Sequence, residues 1–428
     1  MKKSDYNILF PYKENMFILF NSFSNATALL DTAMFEKFQS DSLNLNELSQ
    51  FAKQGFYVED SVDELSYVLL ANSKSVFQSN LNLFRILTTT RCNANCAYCY
   101  EDKRIPCDMS EETANAVVEF IKGQTVSSSK ISINWFGGEP LLNHKIISYI
   151  NRRLRQELPD HSIRQVITTN GSRFTKSLIR KASTEWMIDT VQMTLDGYGE
   201  YHNNTKSYNN FPNAFNRTID TIDALLSNGL KVSVRMNVDK QNYKSIYELV
   251  LYLDAKFHKR DGFFCYAYPL FDENVDRICC NGYRDNLIYD SDLEKFFFPI
   301  SDKIIALNVN PHETLRFCRQ KTVSCGSAKE GNFVIDPCGL LYKCSFEIGN
   351  PNRSVGNVFD GIVLNSHHLK YILPKYSKDC YSCKLLPMCQ GGCRYQFVWN
   401  STHRCTVNLD MLRHDLINII EKISATNS

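Results

Sequence analysis

The sequence predicts an α/β protein: a parallel sheet of about six strands, open or curled into a partial barrel. A small winged-helix-like unit precedes the sheet and a cysteine-rich domain follows it. Between Ile86 and Tyr268, six short β-rich runs alternate with helix-length segments. Before residue 80, two apolar runs flank a polar turn and helical patterns follow. After about residue 310 the alternation stops and cysteines gather. Alternating strands and helices are the mark of βα units, which build parallel sheets because a strand can rejoin its neighbour in parallel only through a crossover.

In the first unit, residues 1–80, "YNILF" and "MFILF" bracket "PYKEN", a hairpin pattern; helical spacing follows at 28–39 and 46–53, then a short strand at Gly55–Val58 and a helix from near Ser61. Two strands, helices and a strand-like wing make a winged-helix module. In the second unit, residues 81–310, the strand runs are "ILTTT", "ISINWF", "RQVITT", "TVQMTL", "VSVRMNV" and "FFCYAY", with helices expected at 110–122, 143–157, 213–228 and 243–256. Ser110 can cap the first of these, Glu111 and Glu112 suit its positive end, and Ala114, Val117, Val118 and Ile121 share one face. In the third unit, residues 311–428, "NFVIDPCGLLYKCSF" reads as a hairpin turned at Asp336, Pro337 and Gly339, and a last helix from about 407 carries Leu409, Leu412, Leu416, Ile419 and Ile420 at helical spacing.

Composition sets limits on function. The 428 residues are 43% hydrophobic and 22% charged, a globular balance, and the net charge of +2 gives no electrostatic footprint for nucleic acid or an anionic membrane. "MKKSDYNILF" lacks the apolar run of a signal peptide and no later run approaches a membrane span, so a cytoplasmic protein is expected. Sixteen cysteines in such a compartment are better explained by metal or cluster ligation than by disulfides.

Three of them, Cys92, Cys96 and Cys99, lie in "RCNANCAYCYED" directly after the first strand of the sheet, at the carboxyl end where α/β folds place their active sites. Three thiolates are one short of a closed tetrahedral site: a 4Fe–4S cluster on three cysteines keeps one iron open, whereas a zinc knuckle would borrow a distant ligand. After the second strand comes "WFGGEP": Gly137 and Gly138 admit a close backbone approach, and Glu139, held extended by Pro140, offers acceptors to an ammonium group. Later strands end in "TTNG", "TLDG" and "RMN", which bring Asn170, Thr194 and Arg235 to the same rim; the Arg235 guanidinium can make two parallel bonds to a carboxylate.

The C-x3-C-x2-C spacing, with Tyr98 before its last cysteine and GGEP one strand later, resembles the signature of radical S-adenosylmethionine (SAM) enzymes. The resemblance implies a partial (β/α)6 barrel, a 4Fe–4S cluster on Cys92, Cys96 and Cys99, and SAM contacts from Gly137, Gly138, Glu139, Pro140, Asn170, Thr194 and Arg235. In the C-terminal unit, Cys325, Cys344, Cys380, Cys383, Cys389, Cys393 and Cys405 follow an order that resembles the SPASM domain, which carries auxiliary 4Fe–4S clusters. Carried over, one cluster would use Cys325, Cys344 and Cys393 with Cys318 as fourth ligand, and the other Cys380, Cys383, Cys389 and Cys405. That makes three clusters in all. Cys107, Cys265, Cys279, Cys280 and Cys338 are left as ordinary thiols, with Cys265 the one whose side chain could face the chamber. The histidines, His144 and His202 among them, are expected to be satisfied or superficial.

About ninety residues precede Cys92. A winged-helix-like unit before a radical SAM and SPASM core resembles the leader-recognition element of enzymes that modify ribosomally made peptides, where an exposed strand edge takes up the peptide. The expected function is a radical SAM peptide maturase that installs a cross-link, thioether, epimer or oxidation in a precursor peptide, with flavodoxin or ferredoxin as electron donor. The segment 198–212 is a candidate for shaping specificity. Alternatives are a formylglycine-generating enzyme like the anaerobic sulfatase maturases, or an iron–sulfur electron-transfer or scaffold protein.

Overall fold

The computed structural model describes the chain apart from residues 79–80, 100, 102–104, 126–129, 209–212, 259, 272–282, 311–318, 374, 401–403 and 427–428. Cys279, Cys280 and Cys318 therefore lie outside the described residues. The chain forms two compact units: Met1–Phe77 with Thr314–Lys329 and Lys370–Ser428, and Gln78–Glu313 with Glu330–Leu369.

In the first unit, β1 (Lys2–Lys3) pairs with β5 (Tyr57–Val58), and β2 (Asn7–Pro11), β3 (Met16–Asn21) and β4 (Thr27–Asp31) form an antiparallel sheet in the order β2-β3-β4. β4 corrects the helix expected over 28–39: only α1 (Thr32–Gln39) is helical, because Asn25, at a φ of 60°, turns the chain back so that Thr27–Asp31 pair with β3 before Asp31 caps the helix. The helices α2 (Leu45–Lys53) and α3 (Glu64–Val76) follow, with Asn44 and Glu47 closing a capping box on α2.

Strand alternation gives the three-stranded sheet two apolar faces. One packs Leu19 and Leu30 against Phe38, Phe56 and Tyr57. The other packs Ile8, Phe10, Ile18 and Phe20 against Leu385, Met388 and the last helix, Leu409–Thr426, through Leu412, Leu416 and Ile420. The amino-terminal module and the carboxyl-terminal helix thus share one core.

The second unit is built on a sheet of order β11-β10-β9-β8-β7-β6-β12-β13. Its strands β6 (Leu81–Leu87), β7 (Lys130–Phe136), β8 (Ile163–Thr169), β9 (Thr190–Leu195), β10 (Lys231–Val238) and β11 (Phe263–Pro269) run parallel, joined by α4 (Glu111–Gln124), α5 (His144–Glu157), α6 (Lys176–Thr184), α7 (Glu200–Lys206), α8 (Ala214–Ser227) and α9 (Tyr243–Phe257). The expected caps hold: Thr113 N–H donates to Ser110 Oγ at 3.0 Å. The hairpin expected around Asp336 is β12 (Phe333–Ile335) and β13 (Leu341–Tyr342), and β12 extends the parallel sheet beside β6. No helix among the described residues is long and apolar enough to cross a membrane.

The two faces of this sheet differ. Ile131, Ile133, Trp135, Val191, Met193, Val234 and Met236 are fully buried on one face, with Trp135 Nε1 donating to Gln165 Oε1 at 2.8 Å. On the other, Ser132, Asn134, Thr168, Gln192, Thr194, Arg235, Tyr266 and Tyr268 are half-buried. Cys265 is paired in register with Val234 and is fully buried, so it belongs to the packed face, which corrects the expectation that it could meet the chamber.

A fragment of residues 1–77 should not fold alone. Exposing Ile8, Phe10, Ile18 and Phe20 forfeits about 1.5–3 kcal/mol apiece, roughly 6–12 kcal/mol together and comparable to the stability of a whole domain. Amide chemical-shift dispersion of the isolated fragment should be poor, while a single-chain version that adds residues 370–428 should recover it.

Candidate active site

The loop of Cys92, Cys96 and Cys99 leaves the carboxyl end of β6, and backbone and side-chain groups from four other strand ends hold it. From β7, Gly138 N–H donates to Thr89 O at 3.2 Å and Glu139 N–H to Arg91 O at 2.9 Å. From β8, Asn170 Nδ2 donates to Asn93 Oδ1 at 3.0 Å, and Asn93 Nδ2 to Ser172 Oγ at 2.9 Å. Beyond β9, Asn95 N–H donates to Lys206 O at 3.0 Å, and Ala94 bridges to Tyr208. From β9 and β10, Asp196 and Asn237 hold Tyr98: its hydroxyl donates to Asp196 Oδ2 at 2.8 Å and accepts from Asn237 Nδ2 at 3.1 Å.

The geometry also gives the GGEP turn a part in holding the cluster loop. A Cβ on Gly137 would lie 2.3 Å from Thr89 O, and one on Gly138 would lie 2.3 Å from Arg91 O and 2.8 Å from Thr90 O. The backbone that needs the glycines to be bare is therefore the chain's own cluster loop. Glu139, fully buried, turns its carboxylate toward β8, accepting from Thr169 Oγ1 at 2.7 Å, Asn170 N–H at 2.8 Å and Leu141 N–H at 3.1 Å. Burial pushes this carboxyl up from its ordinary value, and the same three donors pull it back. A carboxylate accepts about four bonds, so most of this one is already spent on the fold.

Beside Cys96 stands a buried ion pair, Lys206 Nζ to Asp196 Oδ2 at 3.1 Å, with Lys206 also donating to Tyr98 Oη at 2.9 Å. Burial alone would push the ammonium down, but Asp196, Cys96 and Tyr98 outweigh it and hold Lys206 well above its usual value. His202 is buried next to this pair, its Nδ1 accepting Asp196 N–H at 3.2 Å, and desolvation pushes it down to about 3, so it stays neutral. Its expected structural role agrees with this placement, and His144 likewise pairs with Leu141 O through Nδ1 at 3.2 Å. Arg235 donates from Nε to Asn237 Oδ1 at 2.8 Å and stacks on Tyr268 at 4.1 Å, on the half-buried face with Thr194. Part of segment 198–212 is the helix α7, whose end carries Lys206, while 209–212 lie outside the described residues. Asp196 and Asn237 belong to the "TLDG" and "RMN" segments already read as rim segments, whereas Lys206, at the end of α7, escaped the sequence reading.

The donor set suits a cluster. Desolvation pushes the Cys92 thiol up to about 12, and it raises Cys96 and Cys99 as well; the field of Cys96 adds to both of the others. Thiols whose ionisation is opposed by burial and by one another call for a compact positive partner, which the irons of a cluster supply. In the first unit, Cys380, Cys383, Cys389 and Cys405 also act on one another: desolvation and then Cys389 and Cys383 push Cys380 up to about 11, and Cys405 is raised foremost by its hydrogen bond to Cys389. Among the described residues no three His, Cys, Asp or Glu side chains close on a single-ion site; a multi-iron cluster spreads its thiolates more widely. Cys325 and Cys393 lie in the first unit and Cys344 in the second.

Comparison with known proteins places this architecture. The Radical SAM superfamily matches residues 86–253. The radical SAM cyclopropyl synthase TigE of Paramaledivibacter caminithermalis is 21% identical over 381 residues, 82% of this chain and 77% of that protein. Against four further curated relatives the chain spans only 38 to 56% of their length. Among solved structures, native anSMEcpe with bound AdoMet overlays with a TM-score of 0.63 at 18% identity, covering 81% of this chain and 99% of that one. Streptococcus suis SuiB bound to its precursor peptide SuiA overlays with a TM-score of 0.54 at 17% identity, covering 92% and 95%. The family match spans β6 to α9, with the three-thiol loop at the carboxyl end of β6, so residues 86–253 of this enzyme are a radical SAM domain.

Proposed function

We propose that the chain is a radical SAM peptide maturase that modifies a ribosomally made precursor. The observation that carries this is a three-thiol loop fixed at the mouth of a parallel sheet, in a chain that also bears a second set of four mutually interacting cysteines and an amino-terminal three-stranded sheet. The chemistry that a three-cysteine cluster with SAM supplies is hydrogen-atom abstraction by a 5′-deoxyadenosyl radical. The protein's share is placement. Cys92, Cys96 and Cys99 would hold the irons, the backbone of the Gly137–Pro140 turn would meet the methionine ammonium, and Arg235 its carboxylate. Asn170 and Thr194 would line the remaining contacts, and the half-buried face would receive the peptide.

Cys380, Cys383, Cys389 and Cys405 would carry one auxiliary cluster, and Cys325, Cys344 and Cys393 with Cys318 a second. Both would be closed, with flavodoxin or ferredoxin as the electron source. The precursor would dock on β4, the outer strand of its sheet, where Leu29 is 44% exposed and Thr27 and Asp31 also face solvent. The near-zero charge supports no nucleic-acid partner. A formylglycine-generating reaction is the second reading, favoured by the higher overlay on anSMEcpe.

Anaerobic reconstitution should load about twelve irons per chain for three cubane clusters, and the reduced enzyme should release 5′-deoxyadenosine. Cys92→Ala should lose about four of those irons and all of the nucleoside. Co-expression with short peptides encoded beside the gene should change one peptide's mass, whereas conversion of a sulfatase cysteine or serine with no peptide changed would favour the second reading. Gly138→Ala forces a Cβ against Arg91 O, so it should weaken SAM binding at least tenfold by equilibrium dialysis while the far-ultraviolet spectrum stays native. Leu29→Asp should weaken binding of that same peptide by about tenfold and leave peptide-independent release of 5′-deoxyadenosine unchanged.

A further inference from the structure

Two of the thiols left without a role come together. Cys107 and Cys338 are 231 residues apart in sequence, yet their Sγ atoms lie 3.3 Å from each other. Cys107 is partly exposed and Cys338 exposed. Both sit at the carboxyl edge of the sheet, beyond the neighbouring strands β6 and β12: Cys107 pairs with the segment that follows β6, and Cys338 occupies the turn that follows β12.

Their backbones are firmly placed. Cys107 N–H donates to Thr90 Oγ1 at 2.7 Å, and Cys107 O accepts from Thr90 N–H at 2.9 Å and Thr89 Oγ1 at 3.2 Å. Its neighbour Asp108 takes Arg91 Nε at 2.9 Å. Cys107 is thus the point at which the cluster loop returns to its own root. Cys338 N–H is fixed by Asp336 Oδ1 at 2.9 Å, whose carboxylate also takes Leu340 N–H at 2.9 Å.

The separation decides what such a pair can do. Two sulfurs on one tetrahedral zinc would stand about 3.8 Å apart, and that ion would need further ligands; among the described residues no third His, Cys, Asp or Glu joins them. A disulfide needs about 2.05 Å, a closure of little more than an ångström that side-chain rotation can supply. We propose that Cys107 and Cys338 are a reversible disulfide site that staples the root of the cluster loop to the β12–β13 turn.

The oxidant is a disulfide. The Cys107 thiolate attacks one of its sulfurs and releases the first thiol, and the Cys338 thiolate then displaces the second. Two protein thiols and one external disulfide become one protein disulfide and two external thiols, with two electrons passed outward. Desolvation and the hydrogen bond to Cys107 push the Cys338 thiol up to about 12. Capping Cys107 removes that hydrogen bond, which orders the two attacks with Cys107 first.

The test uses the iron-loaded full chain, kept anaerobic and exposed to oxidised glutathione, then alkylated and digested. The expected result is one cross-linked peptide joining Cys107 to Cys338, reversed by dithiothreitol, with iron content unchanged and a melting temperature a few degrees higher because a long loop is closed. Cys107→Ser and Cys338→Ser should each abolish the cross-link and the thermal shift. Separate alkylation of both thiols across all glutathione ratios, or glutathione retained on either one without a cross-link, would overturn the proposal.

Discussion

The constraint on which the site depends is a backbone-to-backbone contact. A loop whose three thiols are exposed or only partly buried gains little hold from packing them. It is fixed instead by its main chain, and the carbonyls of Thr89 and Arg91 lie so close to Gly137 and Gly138 that no side chain fits between them. Glu139 completes the clamp from beneath. Its buried carboxylate ties the end of β7 to the end of β8, so that two neighbouring strand ends reach the loop as one rigid piece.

The second support is electrostatic. Lys206, Asp196, Tyr98 and Asn237 form a buried polar network whose members come from α7, β9, the cluster loop and β10. A buried ion pair is weak evidence of stability, since desolvation offsets most of the attraction, but it fixes geometry where apolar packing would not. Here it sets Tyr98, which stands between Cys96 and Cys99 in the chain. It also keeps a positive charge against Cys96, a position where a ligating thiolate would be stabilised.

Much of this was readable in advance because it is local. Period-two alternation, Ser110 at a helix start and three cysteines at close spacing are properties of short stretches, and each appears where the pattern placed it. Cys265 shows the limit of such patterns: alternation says that residues take turns facing two sides, but only the neighbouring helices say which side is packed. The strand at Thr27–Asp31 was hidden for the same reason, since "TALLD" becomes a strand only by pairing with β3. Longer-range unions left no sequence mark. Nothing in "MFILF" announces that Ile18 and Phe20 meet Leu412 and Leu416 nearly 400 residues later, nor does the Asp336 hairpin announce that it extends the barrel sheet.

The unequal faces of that sheet bear on what the enzyme can accept. A closed eight-stranded barrel fills its interior with layered side chains and leaves chemistry to the loops at its mouth. This sheet has six parallel strands from β11 to β6, and the face away from the packed layer keeps Asn134, Thr168, Gln192, Arg235 and Tyr266 half-exposed. Several of these pair with each other, Thr168 Oγ1 with Asn134 Oδ1 at 3.3 Å and Tyr266 Oη with Gln192 Oε1 at 3.2 Å, so the surface is polar and its groups hold one another in place. An extended backbone carries donors and acceptors along its whole length, and a floor of ordered amides, hydroxyls and a stacked guanidinium can satisfy them where a packed apolar core could not. The half-buried polar groups of this face could thus meet the donors and acceptors of an extended chain, which the packed apolar face could not.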